Sequence, residues 1–166
     1  MALAGGCAQA AWAQQPADPA PAPMPVQIAA AKKVFISNAS GESNVPPGVS
    51  ELTYNEFYAA MKSWGAYELM SAPTEADLIL EIRFNYVLGP TNVMNGVGSS
   101  SLYQQFRLVV LDPKTHVVLW ALTQSIQGAV RQTTGRKNFD LAMAALVENV
   151  KKLALQTVAS GEAVKN

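Results

Sequence analysis

The stretch FRLVVLDPKTHVVLWALTQSI, Phe106 to Ile126, decides the fold. Two apolar runs rich in β-branched residues flank a turn at 112–115, where Asp112 suits the first turn position and Pro113 presets φ at the second. The stretch therefore predicts a β-hairpin whose apolar stripe faces a core. The predicted register pairs Leu111 with Val117, Val110 with Val118, Leu108 with Trp120, and Phe106 with Leu122.

Upstream of this hairpin, three further apolar segments read as strands. Residues 32–38 are apolar after a polar pair, and 67–70 follow a helix directly, so strand, helix and strand predict a β-α-β unit. Residues 78–86 show the clearest alternation of apolar and polar residues in the sequence. That alternation predicts a sheet with helices on one face and water on the other. The apolar face holds Leu78, Leu80, Ile82, Phe84 and Tyr86, and the polar face holds Glu81, Arg83 and Asn85.

Two amphipathic helices complete the predicted fold. The first has a capping box of Thr53 with Glu56, and Gly65 as its C-terminal cap. Asn138 is predicted to cap the second, after a polar connection at 128–137 that carries Arg131, Arg136 and Lys137. Both apolar stripes predict packing on a sheet. The first stripe is Tyr54, Phe57, Tyr58, Met61 and Trp64, and the second is Phe139, Ala142, Leu146, Val150 and Leu153.

The N-terminal residues 1–13 resemble the end of a secretory signal peptide. Ala11-Trp12-Ala13 matches an A-x-A cleavage site, although the basic start and long apolar region are missing, which indicates a truncated signal. Cys7 follows Leu3-Ala4-Gly5-Gly6, so a lipid anchor at Cys7 is the less favoured alternative. Residues 14–31 are rich in Pro and Ala and predict an extended linker.

Composition narrows the possible functions. Lys+Arg and Asp+Glu are equal at 12 each, and no basic block occurs, which argues against nucleic-acid binding. A single cysteine excludes an internal disulfide, and a single histidine, His116, excludes two-histidine metal sites. No stretch is long and apolar enough to suggest a transmembrane helix.

The sequence contains no recognisable catalytic motif. The chain has neither a glycine-rich phosphate loop nor a G-x-S-x-G elbow. Asp112 and His116 lie close together, but Asp112 has a turn role, and His116 falls where a short hairpin loop commonly needs left-handed backbone. Residues 89–101 contain three glycines, a proline and three serines and predict an irregular loop, with mobility favoured over function. No catalytic, cofactor-binding or metal-binding residue is assigned, and no cofactor is expected.

Several phrases of the sequence resemble known families. Ala76-Asp77-Leu78-Ile79-Leu80 and the hairpin 110–120 are similar to the α/β domains of bacterial envelope proteins of the TolB N-terminal and CsgG periplasmic types, with His116 in place of their glycine. Residues 33–155 resemble an uncharacterised family of small secreted bacterial proteins, which implies an exported location and no known activity. The segments that carry the second resemblance are Val34 to Asn38, Tyr54 to Ala60, and Ser63-Trp64-Gly65.

The sequence thus predicts one α/β domain of the α+β kind at 32–159, followed by a flexible tail at 160–166. Its mixed, mostly antiparallel sheet has about five strands with two helices on one face, in the order β-α-β-β-β-β-α. The favoured function is a non-enzymatic periplasmic or secreted envelope module that binds an envelope protein or lipid. The alternatives are a small secreted hydrolase whose site assembles only in three dimensions, and a small-ligand carrier.

Overall fold

The computed structural model describes residues 24–41, 45–89, 92–94, 97–99 and 101–162. The helices are α1 (Val26–Ala30), α2 (Val49–Trp64) and α3 (Gln132–Glu162), with a 3-10 turn at Pro73–Glu75. The strands are β1 (Lys33–Asn38), β2 (Glu68–Leu69), β3 (Leu78–Leu88), β4 (Asn92–Met94), β5 (Val97–Ser99), β6 (Leu102–Leu111) and β7 (Val118–Ile126).

Five strands form one mixed sheet in the order β2-β1-β3-β6-β7. β1 is parallel to β2 and β3, whereas β6 is antiparallel to β3 and β7, and the antiparallel pairings are the longer ones. Both long helices pack on the same face of this sheet. The predicted fold class is confirmed.

The core lies between the sheet and the two long helices. Alternate residues of β3 and β6 enter it, and the ring of Phe106 meets those of Phe84 and Phe139 edge to face at 6.2 and 4.8 Å. Phe57 and Met61 from α2 and Leu146 from α3 are fully buried above them. Complete burial of each such side chain contributes about 1.5–3 kcal/mol before the entropy of ordering it is subtracted. The two predicted helical stripes therefore face the core as expected.

Helix α2 begins four residues before its predicted cap, so the capping box is wrong. Gly48 precedes the helix with φ +83°, and Thr53 is fully buried within it. The Thr53 hydroxyl donates a hydrogen bond to the Val49 carbonyl at 2.8 Å, which satisfies the hydroxyl inside the helix rather than at its end. The predicted C-terminal cap is confirmed, because Gly65 has φ +69° and donates its N–H to the Met61 carbonyl.

The hairpin of β6 and β7 is confirmed, but its predicted register is wrong by two residues over most of its length. Leu108 pairs with Leu122 and Val110 with Trp120, and an irregularity follows at Val110/Leu111. The turn is longer than predicted, since the His116 amide bonds to the Asp112 carbonyl and the Asp112 amide to the Val117 carbonyl. A shift of two residues keeps every side chain on its predicted face.

His116 adopts the left-handed backbone predicted for it, with φ +56°. The Asp112 carboxylate accepts hydrogen bonds from the amides of Lys114 and Thr115 at 2.8 and 2.9 Å, which confirms its turn role. These bonds favour the charged carboxylate and lower the pKa of Asp112.

Helix α3 begins at Gln132, so the predicted cap at Asn138 is wrong and much of the 128–137 connection is helical. Asn138 lies inside the helix and donates its side-chain amide to the Gln127 carbonyl at 2.9 Å. That bond ties the helix back to the end of β7. The helix continues to Glu162, within the range assigned to the tail.

Two further segments differ from the sequence interpretation. Helix α1 lies within the predicted 14–31 linker, and its Ile28 is buried against the core, so the folded part begins earlier than residue 32. Within 89–101, β4 and β5 pair antiparallel, where an irregular loop was predicted. The signal peptide at 1–13 with Cys7, residues 14–23 of the linker, and residues 163–166 lie outside the described residues.

Candidate functional site

One candidate binding feature of the described structure is the outer edge of β7, here called the β7 edge. β7 pairs with β6 on one side, and no described strand pairs with its other side. A nine-residue strand therefore presents unpaired backbone N–H and C=O groups, which are a template for another strand.

The β7 edge lacks the features by which proteins block edge strands. No charged residue and no proline occurs between Val117 and Val130. The irregularity near Leu119 lies close to the turn and leaves the ladder from Trp120 to Ile126 regular. Lysine, proline and strong bulges are the usual protection of an exposed edge. The described part of this ladder therefore leaves the edge open to pairing with another strand.

Side chains along the β7 edge would support a bound strand. Val118 is 57% exposed, and Ala121, Thr123 and Ser125 are exposed on the face away from the helices. On the helix side, a notch of about 240 Å³ separates the end of β7 from α3, and its wall includes Leu141, which is 59% exposed. A strand added to the β7 edge would contact small side chains on the face away from the helices and Leu141 on the helix side.

A second concave feature, here called the end cleft, lies where β3 ends and α3 begins. Its volume is about 630 Å³, within the range of small-molecule sites. Phe84 and Tyr86 lie edge to face at 5.4 Å in its wall, opposite Val49 and Leu52 of α2. The cleft is therefore mainly apolar and aromatic.

Arg136 closes one side of the end cleft. Its guanidinium lies 5.5 Å from the centroid of the Phe139 ring and forms ion pairs with Glu56 at 2.6 Å and Asp140 at 2.9 Å. The hydrogen bond from Arg136 to Glu56 raises the pKa of the guanidinium further above its usual value. Arg136 thus joins α2 to α3, and Glu56 has this role rather than the predicted capping role.

The groove between α2 and α3 is larger, at about 750 Å³, and gathers carboxylates from separate elements, as the hydrolase alternative requires. Glu56 and Asp140 are paired with Arg136, and Glu148 with Lys151 at 2.6 Å. Each carboxylate is therefore engaged by a cation on the protein surface. The described geometry adds no support to that alternative.

Asp112 and His116 are not brought together as a dyad. The Asp112 carboxylate is occupied by two backbone amides, and the side chain of His116 is exposed at the tip of the turn. Among the described residues, no three of His, Cys, Asp and Glu cluster as metal ligands would. The assignment of no catalytic, cofactor or metal residue stays a prediction.

The β7 edge was not identified from the sequence. The hairpin was predicted, but which of its strands lies at the sheet edge depends on the strand order, which pattern alone does not provide. One sequence signal was available, namely the uncharged run from Val117 to Val130 in a chain of 14% charged residues.

Within the described ranges, no helix combines the length and the apolar content needed to cross a bilayer. No family model matches the chain, and no curated protein sequence matches it.

Several solved bacterial structures have a similar chain trace. One is a neuraminyllactose-binding hemagglutinin homolog from Helicobacter pylori, with 14% identity, 80% of this chain and 90% of that chain covered, and a TM-score of 0.49. Another is the PelC dodecamer from Paraburkholderia phytofirmans, with 16% identity, 79% and 91% covered, and a TM-score of 0.44. A third is a lipoprotein from Neisseria meningitidis, with 15% identity, 73% and 99% covered, and a TM-score of 0.40. Because these TM-scores are below 0.5, the likeness carries no functional conclusion.

Proposed function

We propose that this chain is a non-enzymatic module of the bacterial cell envelope that binds a partner protein by adding a strand at the β7 edge. The observation that carries the proposal is a strand of nine residues, without charge or proline, whose outer side pairs with no described strand. Backbone hydrogen bonds along such an edge provide affinity, and the alternate side chains provide specificity.

The envelope location rests on the N-terminal sequence. Ala11-Trp12-Ala13 resembles a cleavage site, and the proline-rich segment after it suits a spacer between an export signal and a domain. The resemblance of the domain to TolB and CsgG types agrees with this location and stays a prediction.

The proposed binding mode is tested by placing lysines on the edge strand. Ala121→Lys with Ser125→Lys changes two exposed positions of β7, and Ala59→Lys changes an exposed position of α2 as a matched control. Cross-linking in cells of the native host, followed by mass spectrometry, should recover a partner with the wild type and with Ala59→Lys. The double variant should lose it, because lysine on an edge disfavours pairing with another strand.

Two results would contradict this binding mode. One is equal recovery of the partner with the double variant, and the other is the absence of any specific partner with the wild type. Circular dichroism of all three proteins checks that the lysines leave the fold intact. Sedimentation velocity shows whether the partner is a second copy, since a dimer of the wild type should then dissociate in the double variant.

The envelope location is tested separately by the intact mass of the protein purified from its host. A chain that begins at Gln14 indicates a cleaved, exported protein, and a diacylglycerol adduct on Cys7 indicates a lipid-tethered one. A mass that corresponds to an unmodified chain beginning at Met1 would contradict export.

A second candidate function, a carrier of a small apolar ligand, is favoured by the end cleft. Its aromatic wall and its volume of about 630 Å³ fit a drug-sized apolar molecule. Native mass spectrometry of protein purified from the host should then show a bound mass. Phe139→Ala should reduce its occupancy, and bare wild-type protein would speak against the carrier.

A further inference from the structure

The face of the sheet turned away from the helices, here called the open face, carries two arginines side by side. Arg83 of β3 is the direct cross-strand partner of Arg107 of β6. Directly opposed residues of an antiparallel pair have their Cβ atoms about 5 Å apart, and like charges at that spacing are unfavourable. A repulsive pair at the centre of a sheet calls for an explanation.

Neither arginine is neutralised within the described part of the chain. Among the described residues, no carboxylate lies within ion-pair distance of either guanidinium, whereas Arg136 has two such partners. Arg83 is only partly exposed, and its Nε is buried and makes no hydrogen bond. An unsatisfied donor of a charged group is costly to bury, and the buried Nε itself is out of reach of an external ligand. An anion would therefore be bound by the other N–H groups of the two guanidiniums, of which Arg107 is exposed.

The surroundings of the pair suit an oxyanion. Three neutral side chains that can donate hydrogen bonds lie next to the pair on the same face. They are Asn85 beside Arg83 on β3, Gln105 beside Arg107 on β6, and Thr123 across from Arg107 on β7. Asn85 Oδ1 is also buried without a partner, but as an acceptor it would not bind an anion; only the Asn85 NH₂ group could do so. β7 contributes only the small residues Ala121, Thr123 and Ser125 beside Arg107, which leaves the exposed guanidinium accessible from that side.

One acidic group faces the same region. Glu81 precedes Arg83 by two residues and lies diagonally from Arg107 across the β3–β6 ladder, yet it pairs with neither. Its carboxylate would repel an anion bound between the arginines. The sign of its effect therefore distinguishes anion binding from a purely structural role of the pair.

We propose that Arg83 and Arg107 form a binding site for a phosphate group on the open face of the sheet. Two guanidiniums supply two positive charges and planar donor groups that match phosphate oxygens. At neutral pH inorganic phosphate or a phosphate monoester neutralises more of the charge of the pair than a carboxylate does. A phosphodiester headgroup carries one charge but presents more acceptor oxygens than a carboxylate does. The site is independent of the β7 edge, because it lies on a face rather than an edge and uses side chains rather than backbone.

The test uses the full chain and two sources of phosphate. Inorganic phosphate is titrated at constant ionic strength and followed by ³¹P NMR and calorimetry, with acetate as the comparison anion. Phosphatidylcholine vesicles with and without phosphatidylglycerol test a lipid headgroup in a sedimentation assay. Binding of inorganic phosphate identifies a soluble ligand, and binding only to phosphatidylglycerol vesicles identifies a lipid; either result supports the site.

The variants decide whether the arginines are responsible. Arg107→Gln, at an exposed position, should weaken phosphate binding by about tenfold or more, as expected for loss of a charge-assisted contact. Arg83→Gln should do the same, and Arg107→Gln keeps the test valid if Arg83→Gln does not fold. Glu81→Gln should strengthen binding. Lys62→Gln, which removes an exposed charge on α2, should leave it unchanged.

The proposal is overturned if the wild type binds neither phosphate nor phosphatidylglycerol vesicles. It is also overturned if phosphate and acetate bind equally, or if Lys62→Gln reduces binding as much as Arg107→Gln does. Phosphate binding is scored in the arginine variants and not in Ala121→Lys with Ser125→Lys, because those two positions lie diagonally from Arg107 on the open face. Recovery of the protein partner by Arg107→Gln together with lost phosphate binding would show that the two proposals fail separately.

Discussion

The covered and open faces of the sheet are made by the same strands, yet they differ in kind. On the covered face, Leu80, Ile82 and Leu108 are at most 3% exposed. On the open face, the neighbouring residues Glu81, Arg83 and Arg107 are charged. Because successive side chains of a strand alternate between faces, one stretch of ten residues supplies both a core and a charged surface.

The open face is itself divided along the strands. Near the start of β3, Ile79, Val109 and Leu111 are between 5 and 7% exposed and form a small apolar cluster with Phe35. Towards the end of β3 it becomes polar at Arg83 and Asn85. The difference shows that the face without a described helix is not uniformly wet, and that Arg83 and Arg107 lie in its polar half.

The largest expected difference between the faces concerns neighbouring residues of β6. Phe106→Ala removes a fully buried ring that contacts two other aromatic rings and should lower the free energy of unfolding by about 3–5 kcal/mol. Arg107→Ala, one residue later on the open face, should change it by no more than about 0.5 kcal/mol. Urea unfolding measures both, and comparable losses would show that the open face is as tightly packed as the core.

A matched pair of smaller changes compares the two faces at nearly equal burial. Val110→Thr places a hydroxyl under the helices, where it lacks a partner, and should cost about 2 kcal/mol. Val109→Thr places the same hydroxyl in the small apolar cluster of the open face, which no described helix covers, and should cost about 1 kcal/mol because fewer apolar groups surround it there. Urea midpoints at one pH measure the two changes, and a larger loss for Val109→Thr would show that the small cluster is packed as tightly as the main core.

Asp77 should affect the stability of both faces equally, because its carboxylate joins the residue before β3 to the start of β1 and packs on neither face. Its Oδ2 accepts the amide hydrogens of Lys32 and Lys33 at 2.9 Å each, and these bonds lower the pKa of Asp77 in the folded protein. A lowered folded pKa means that the stabilisation is present above the unfolded pKa and is lost as the pH falls through the folded pKa.

The measurement is the urea midpoint between pH 6 and pH 2. Below about pH 4 the wild type should lose stability, and Asp77→Asn should show a shallower loss over the same range. Asp140→Asn, at an exposed position on α3, provides the comparison for a carboxylate that is held by a side chain instead of backbone amides. Equal pH profiles for the wild type and Asp77→Asn would contradict the assignment.

The smallest expected effect concerns the repulsion between Arg83 and Arg107. In phosphate-free buffer, Arg107→Gln should stabilise the fold by a few tenths of a kcal/mol, since like charges directly across a ladder are destabilising. Added sodium chloride should stabilise the wild type slightly more than the variant, because salt screens the repulsion. If stability falls in Arg107→Gln and salt has no differential effect, the two guanidiniums do not repel each other.

The spacing of apolar residues predicted most of the fold, because a strand or helix can bury only the side chains that lie on its inner face. The faces of β3, the stripes of α2 and α3, and the hairpin depend only on which residues are apolar and at what spacing. The hairpin register was missed because several registers differing by two residues bury the same side chains, and only the length of the turn distinguishes them.

Local polar signals were less reliable. Thr53 and Asn138 both look like helix caps, but each makes a backbone hydrogen bond from within a helix that starts earlier. Their side chains can satisfy either arrangement, and tertiary packing of the preceding turn decides which one forms. The turn residues Asp112 and His116 were predicted correctly because strict backbone geometry leaves fewer alternatives.

The candidate sites depend on neighbours that are distant in sequence. Arg83 and Arg107 could be assigned to strands, but their pairing depends on the β3–β6 register across the intervening segment. The β7 edge depends in the same way on strand order. Neither property is present in any short window of the sequence, and so neither site could be predicted from it.

The position of α1 distinguishes the two ends of the domain. α1 lies beside the turn at Asp112–Lys114 and the start of β3, whereas the end cleft lies at the far end of the same strand. Eleven residues of β3 span roughly 35 Å between these ends at about 3.3 Å per residue. If the protein is tethered through the residues before α1, the turn at Asp112–Lys114 therefore lies near the tether and the end cleft lies far from it. The β7 edge then runs along the direction from the tether to the end cleft.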